Sequence, residues 1–205
     1  RSDFEGNEIQ DMMEIGARFE TAINLRGNIE RKIFRKEQFK TFLFEEDQVR
    51  DSMWFGYSPS EFWGINFNAD IGDRIAYNED IPVIGDQKNY TLFLAIKPSD
   101  NLSIYFNTRN IQLRNKETGK DFFNGNVDRI TTTYSFSNDL SFKVNVESND
   151  FSDDYYLETL FKWSPDPYTI FYAGSSQFLN DGEPDGSLQL YTSQIYLKFQ
   201  YFYQG

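Results

Sequence analysis

From Leu140 to Glu147 the chain alternates without a fault, Leu140, Phe142, Val144 and Val146 standing between Ser141, Lys143, Asn145 and Glu147. Successive side chains of a strand point to opposite faces, so this spacing predicts a strand with one apolar and one charged face. Upstream, Ile130, Thr132, Tyr134 and Phe136 alternate with Thr131, Thr133 and Ser135, and only Ser137-Asn138-Asp139 separates the two runs. The pair predicts a hairpin.

The rest of the chain repeats that unit. Residues 1–13 are polar and aperiodic and predict a loop. From Glu14 to Leu25 apolar and polar residues alternate, and Arg26-Gly27-Asn28 supplies a tight turn. The stretch Ile29–Phe44 is long and basic; its neighbours require a return strand there, while its Glu, Arg, Lys and Gln favour a helix. Glu45-Glu46-Asp47 breaks the pattern, and Ser58-Pro59-Ser60 turns the chain after the next run. Trp63, Ile65, Phe67, Ala69 and Ile71 then face away from Gly64, Asn66, Asn68 and Asp70. The periodicity predicts strands at about 14–25, 29–44, 48–57, 61–72, 88–98, 101–116, 122–136, 140–150, 154–164, 168–178 and 188–203, roughly eleven in all, with a slip of phase near Asn110 that reads as a bulge.

The connections have an order of their own. Tight turns around Gly27, Pro59, Asp100, Asn138 and Asp166 alternate with more variable, acidic ones around Glu46, Ile81, Gly119, Ser152 and Asp185. An up-and-down sheet with one trim and one ragged edge has this pattern, as do outer-membrane barrels with short periplasmic turns and longer outer loops. Aromatic residues gather beside the tight turns: Tyr57 and Trp63, Tyr134 and Phe136, Trp163 and Tyr168. An interfacial girdle would sit there.

Composition sharpens the picture. Aromatics make up 18% of the 205 residues although mean hydropathy is low, which suits strands that never stay apolar for long. No stretch approaches the roughly 18 to 20 apolar residues of a membrane helix, so a membrane would be crossed by strands. A soluble β-sandwich also alternates. Strands of about 9 to 13 residues, asymmetric turns, and Lys and Glu at mid-strand on the polar face favour the barrel. The expectation is one domain over residues 1–205: an all-β, antiparallel, up-and-down transmembrane β-barrel of the Gram-negative outer membrane. Its partner is the lipid bilayer, and no composition break divides it.

A resemblance points the same way. It is carried by the run Ile130 to Lys143, by Leu160-Phe161-Lys162-Trp163-Ser164-Pro165-Asp166-Pro167-Tyr168-Thr169-Ile170-Phe171-Tyr172, and by Tyr196-Leu197-Lys198-Phe199-Gln200-Tyr201-Phe202. From about Arg31 onward the chain resembles the C-terminal barrel of an uncharacterised bacterial outer-membrane family. Full-length members of that family resemble a family 9-type carbohydrate-binding β-sandwich followed by a barrel. Asp166 and Pro167 depart from the more typical Pro-Gly turn, and these residues include no N-terminal sandwich. The resemblance implies a fold and no activity.

Candidate chemistry is sparse. The chain has no Cys and no His, which removes thiolates, imidazole bases and a Ser-His-Asp triad. A net charge of −12 argues against nucleic acid as a partner. Asp181, Glu183 and Asp185-Gly186 imitate the start of a calcium loop, but Thr192 stands where the bidentate Glu belongs, and an acidic hairpin loop is the better reading. Asp150, Asp153 and Asp154 read the same way. No pair among the 32 acidic residues stands out for glycoside hydrolysis. No catalytic residue, metal or cofactor is expected, and the chain reads as a pore, transport or anchoring component rather than an enzyme. Candidates to line the lumen are Arg18, Glu20, Asn66, Asn68, Lys143, Asn145, Glu147, Glu158 and Lys162, each also fit for plain cross-strand pairing. The alternative function is a soluble or surface-attached β domain that binds carbohydrate on Trp54, Trp63 and Trp163. Finally, an odd strand count leaves the two ends of the chain on opposite sides, which predicts that these residues are the C-terminal part of a larger barrel or are completed by another chain, an outer-membrane or surface protein.

Overall fold

The computed structural model describes residues 9–77, 79–180 and 188–203. They form an antiparallel, up-and-down sheet of twelve strands: β1 (Gln10–Glu20), β2 (Leu25–Phe39), β3 (Phe42–Phe44), β4 (Gln48–Tyr57), β5 (Trp63–Ala76), β6 (Val83–Ser99), β7 (Leu102–Asn115), β8 (Asp121–Ser135), β9 (Leu140–Asn149), β10 (Asp154–Asp166), β11 (Thr169–Asn180) and β12 (Gln189–Tyr201). Neighbours in sequence are neighbours in the sheet, except that β2 pairs with both β3 and β4. The sheet is not closed: β1 and β12 are its two ends. The expected pairing across the Ser137–Asp139 turn is present, with Ser135 opposite Ser141 and Val127 opposite Asn149.

Four expectations at the N-terminal end are corrected. First, β1 begins at Gln10, inside the stretch read as a loop, and residues 1–8 lie outside the described residues. Second, the first turn falls at Thr21–Asn24, not at Arg26-Gly27-Asn28. The Thr21 amide donates to the Leu25 carbonyl at 2.9 Å, and the Thr21 hydroxyl and the Leu25 amide bond each other's segment at 3.0 and 3.2 Å. Asn24 takes the left-handed conformation at φ 61°, which Asn tolerates better than most residues. Gly27 sits instead within β2 opposite Phe19. A Cβ there would lie 2.6 Å from the Trp54 carbonyl oxygen and 2.8 Å from the Phe19 ring, so the glycine serves packing, not turning.

Third, the stretch Ile29–Phe44 is neither a helix nor one strand. Phe39 pairs with Phe42, so the chain reverses at Lys40-Thr41, with Lys40 at φ 53°. Fourth, β3 and β4 are therefore two pieces of one return path along β2, and Glu45–Asp47 interrupts that path rather than reversing it. The added strand makes twelve where about eleven were expected; the main path without β3 has eleven.

The chain divides into two compact units. One comprises Arg1–Pro59, Asn66–Thr91 and Asn110–Asn124; the other comprises Ser60–Ile65, Leu92–Arg109 and Gly125–Gly205. In the first unit the buried hydrophobic residues are Phe34, Ala69, Ile75, Ala76 and Leu113. The second has no buried hydrophobic residue among those described. The apolar side chains of its sheet are part-exposed or exposed, Ile195 at 84% and Leu197 at 82% on the terminal strand β12 among the most open.

Candidate functional site

Register sorts the second unit into two faces. On one, Thr131, Asn145, Glu158, Ser176 and Gln194 form a row across β8 to β12. The next row toward the longer connections holds Arg129, Glu147, Tyr156, Phe178 and Thr192, and the next toward the tight turns holds Thr133, Lys143, Leu160, Gly174 and Tyr196. One row further lie Ser141, Lys162, Tyr172 and Lys198. The five expected lumen residues of this region, Lys143, Asn145, Glu147, Glu158 and Lys162, thus share one face. A recess of about 460 Å³ lies among Arg129, Thr131, Lys143, Asn145, Glu147, Tyr156, Glu158 and Phe178.

Hydrogen bonds join the middle row. The Thr131 hydroxyl donates to Asn145 Oδ1 at 2.7 Å, and Asn145 Nδ2 donates to Glu158 Oε2 at 2.5 Å. Tyr196 reaches Glu158 Oε1 from two strands away at 3.4 Å. It does so by lying over Gly174, where a Cβ would come within 2.4 Å of the Tyr196 ring. Arg129 Nε donates to Glu147 Oε2 at 2.6 Å in the neighbouring row. Both carboxylates of these two rows are therefore engaged, and a chain of donors ends on Glu158.

The opposite face of the second unit is apolar. Phe142 stands opposite Phe161, Phe161 opposite Ala173, and Ala173 opposite Leu197. Trp163 stacks on Phe171 at 5.2 Å between centroids, and Phe171 meets Phe199 at 5.0 Å. Tyr134 meets Phe136 at 4.9 Å, and of these rings Tyr134, Phe136 and Trp163 are among the aromatic residues expected beside the tight turns. Among the polar groups of this face, the Thr159 and Ser175 hydroxyls lie 2.9 Å apart.

The first unit shows the same division. Arg18 stands opposite Asn28 and Glu20 opposite Arg26, on the face that carries Glu14, Glu30 and Trp54. A recess of about 520 Å³ lies between Glu14, Arg18, Asn28, Glu30 and Trp54. Asn66 packs over Gly56, whose Cβ would lie 2.6 Å from Asn66 Oδ1, and alternation puts Asn68 on the same side. The reverse face carries Ile29, Phe55, Phe67 and Tyr90, with Phe55 against Phe67 at 5.2 Å and Phe67 against Tyr90 at 6.4 Å. A charged pair lies on it. Arg31, opposite Ile15 on one side and Asp51 on the other, binds the Asp51 carboxylate through Nε and Nη2, both at 2.7 Å.

Periodicity did not reveal the most enclosed polar cluster of the first unit. Arg50 lies 3.9 Å over the Phe34 ring, donates through Nε to the Asp73 carbonyl at 2.8 Å and through Nη2 to Gln48 Oε1 at 2.8 Å, and pairs with Glu37. Gln48 is almost wholly buried, and its Nε2 has no protein partner. Asp73 Oδ2 accepts the Val49 amide at 2.9 Å, and Gly72 before it has φ 119°. The signal in the sequence was Gly72 inside a strand pattern, a mark of irregular pairing or close backbone approach.

Two of the three Trp residues expected as stacking platforms have defined ring neighbours. Trp54 lies on the polar face of the first unit with the Arg26 guanidinium 5.7 Å from its ring centroid, while Trp163 stacks within the apolar face of the second. Among the described residues no group of His, Cys, Asp and Glu could hold a metal ion, and no helix is long and apolar enough to cross a membrane. The calcium-like loop Asp181–Gly186 lies outside the described residues. Asp150 accepts the Asn126 amide at 3.0 Å, and Asp154 accepts Asn180 Nδ2 at 3.5 Å, so each serves its own hairpin. At the start of β8, Arg114 and Gln112 hydrogen-bond Asp121 and hold its carboxyl below the ordinary carboxylate range. No protein-family model, curated protein or solved structure matches the chain.

Proposed function

We propose that this sheet is part of the wall of a bacterial outer-membrane β-barrel, with its apolar faces against lipid and its polar faces on an aqueous lumen, and that it serves passage or anchoring rather than catalysis. The observation that carries the reading is the uncovered apolar face of the second unit, where Ile195 and Leu197 are more than four-fifths exposed and no second layer among the described residues of this unit covers them. An aqueous solvent would penalise that area at roughly 25 cal/mol per Å². A bilayer would not. The ring band of Trp163, Phe171 and Phe199 beside the tight turns supports an interfacial girdle there, and the family resemblance from Arg31 onward agrees.

Strand parity adds a requirement. In an antiparallel path of eleven strands the first and last run in the same direction, so β1 and β12 cannot close the wall by antiparallel pairing with each other. An all-antiparallel closure takes an odd number of further strands, supplied elsewhere in the protein or by another outer-membrane chain. In hydrocarbon, each unpaired backbone group on those edges costs several kcal/mol.

The test is a pair of substitutions on adjacent residues. Val144 lies mid-strand on the apolar face, opposite Thr132 and Thr159; Asn145 lies on the polar face. Val144→Arg places a charge in lipid at about 2 to 4 kcal/mol and abolishes assembly into detergent-resistant barrels. Asn145→Arg is tolerated, because a guanidinium can still donate to Glu158. A Val144→Arg protein that folds in water without detergent refutes the proposal.

A further inference from the structure

The polar face of the second unit separates its charges along the strands. From that separation we infer that the tight-turn end of this face, at Lys143, Lys162 and Lys198, binds the anionic group of a solute, a carboxylate or a phosphate. The inference rests on the aqueous lumen proposed above.

Register places Lys162, Tyr172 and Lys198 side by side on β10, β11 and β12. Lys143 lies one row away on β9, diagonal to Lys162, because its direct partner is Leu160 and that of Lys162 is Ser141. Diagonal neighbours on one face are about 7 to 8 Å apart at the backbone, within the span of long side chains converging on one group. Lys198 holds its ammonium 5.8 Å from the Tyr172 ring centroid, which orients it over the middle of the row.

These three cations have no carboxylate partner among the described residues, whereas Arg129 is paired with Glu147 two rows away from Lys143. Besides the three lysines, their own two rows hold Ser135, Ser141 and Tyr172 and Thr133, Leu160, Gly174 and Tyr196 on β8 to β12, and none is acidic. The nearest carboxylate, Glu158, already accepts from Asn145 and Tyr196. Asp166 in the adjoining turn accepts the Tyr168 amide at 2.8 Å. In a chain of net charge −12, three uncompensated ammonium groups on one face make a local positive field against the overall sign. An oxyanion placed among them would receive charge-assisted hydrogen bonds from several donors, with the Thr133 and Ser141 hydroxyls beside them.

The experiment titrates inorganic phosphate, and separately acetate, into the folded full chain and follows binding by calorimetry and phosphate by its phosphorus resonance. Saturable binding is expected in the unaltered protein. It should weaken at least about tenfold in the triple variant Lys143→Gln, Lys162→Gln, Lys198→Gln, and be unchanged in Lys120→Gln, which removes an exposed loop cation. Should the triple variant not fold, Lys143→Gln and Lys162→Gln alone are each expected to weaken binding about threefold with an unaltered far-ultraviolet spectrum. Binding that is not saturable, or that survives in the folded variants, overturns the site. Detergent dependence is read separately. A chain that folds in water and binds at these lysines keeps the site and loses the lumen, and a detergent-dependent barrel that binds neither anion does the reverse.

Discussion

Gly174→Ala is the sharpest probe of how the polar face is held. The added Cβ would lie 2.4 Å from Tyr196 Cζ, 2.5 Å from its hydroxyl and 2.7 Å from the Thr159 carbonyl oxygen, all inside any real contact distance. Two responses are open. Tyr196 can swing off β11 and give up its 3.4 Å bond to Glu158, a loss of about 0.5 kcal/mol for so long a bond. The Thr159 oxygen cannot retreat without distorting the pairing of β10 with β11, and overpacking of that kind costs about 1 to 3 kcal/mol. Against these, replacing glycine in a strand recovers about 0.5 to 1 kcal/mol of backbone entropy. The net expectation is a destabilisation of about 1 to 3 kcal/mol. Urea unfolding followed by tryptophan fluorescence measures it, in parallel with Tyr196→Ala and the double variant. Because the ring accounts for only part of the clash, the double variant should recover some of the loss, with a coupling of about 0.5 kcal/mol or more. Strict additivity, or a Gly174→Ala protein as stable as the original, would refute the claim that the glycine exists to seat Tyr196.

In the first unit, Arg50→Met should cost about 3 kcal/mol in the same assay. It leaves Glu37, whose side chain is only 15% exposed, without its cation, and takes the last partner from Gln48; adding Glu37→Gln should restore part of the loss. At the loop end of β8, the carboxyl of Asp121 titrates below its ordinary value, so its bonds to Arg114 and Gln112 contribute fully above about pH 4 and are lost as pH falls through the lowered value. The protection factors of the amides in the 116–120 connection, taken against the intrinsic exchange rate at each pH, should therefore fall on acidification, and Asp121→Asn should abolish that change in protection.

The clean alternations carried their information well. The hairpin expected at 122–136 and 140–150 is observed at Asp121–Ser135 and Leu140–Asn149, because each side chain there is committed to one face and a slip of one residue would reverse every commitment. The reading failed where one residue type serves two purposes. Gly27 has turn chemistry but sits in a strand to admit the Phe19 ring, while the true turn uses Asn24, whose neighbours Ile23 and Leu25 continue the alternation. The reversal at Lys40-Thr41 has no Gly, Pro, Asn or Asp to announce it. Period also reveals faces but not partners. That Lys143 and Glu158 share a face was legible; that Glu158 receives Asn145 and Tyr196 depends on the register of four strands, which no local pattern encodes.

The Arg31–Asp51 pair reports on which solvent the apolar face meets. It lies between Ile29 and Ile33 on β2 and between Val49 and Met53 on β4, and Arg31 also faces Ile15 on β1. Its two 2.7 Å bonds consume the Asp51 carboxylate in a fork geometry that neutralises both charges locally. If water covers this face, an open ion pair contributes little, and Asp51→Leu, Arg31→Leu and the double variant should all lie close to the original in stability. If lipid covers it, removing one partner strands a charge in hydrocarbon, while removing both leaves a leucine pair that suits the surroundings. The lipid reading therefore predicts an order: Asp51→Leu and Arg31→Leu assemble poorly, and the double variant assembles at least as well as the original. Heat-resistant migration in detergent gels checks that order. Near-equal behaviour of all three variants would place this face in water and remove the bilayer from the proposal.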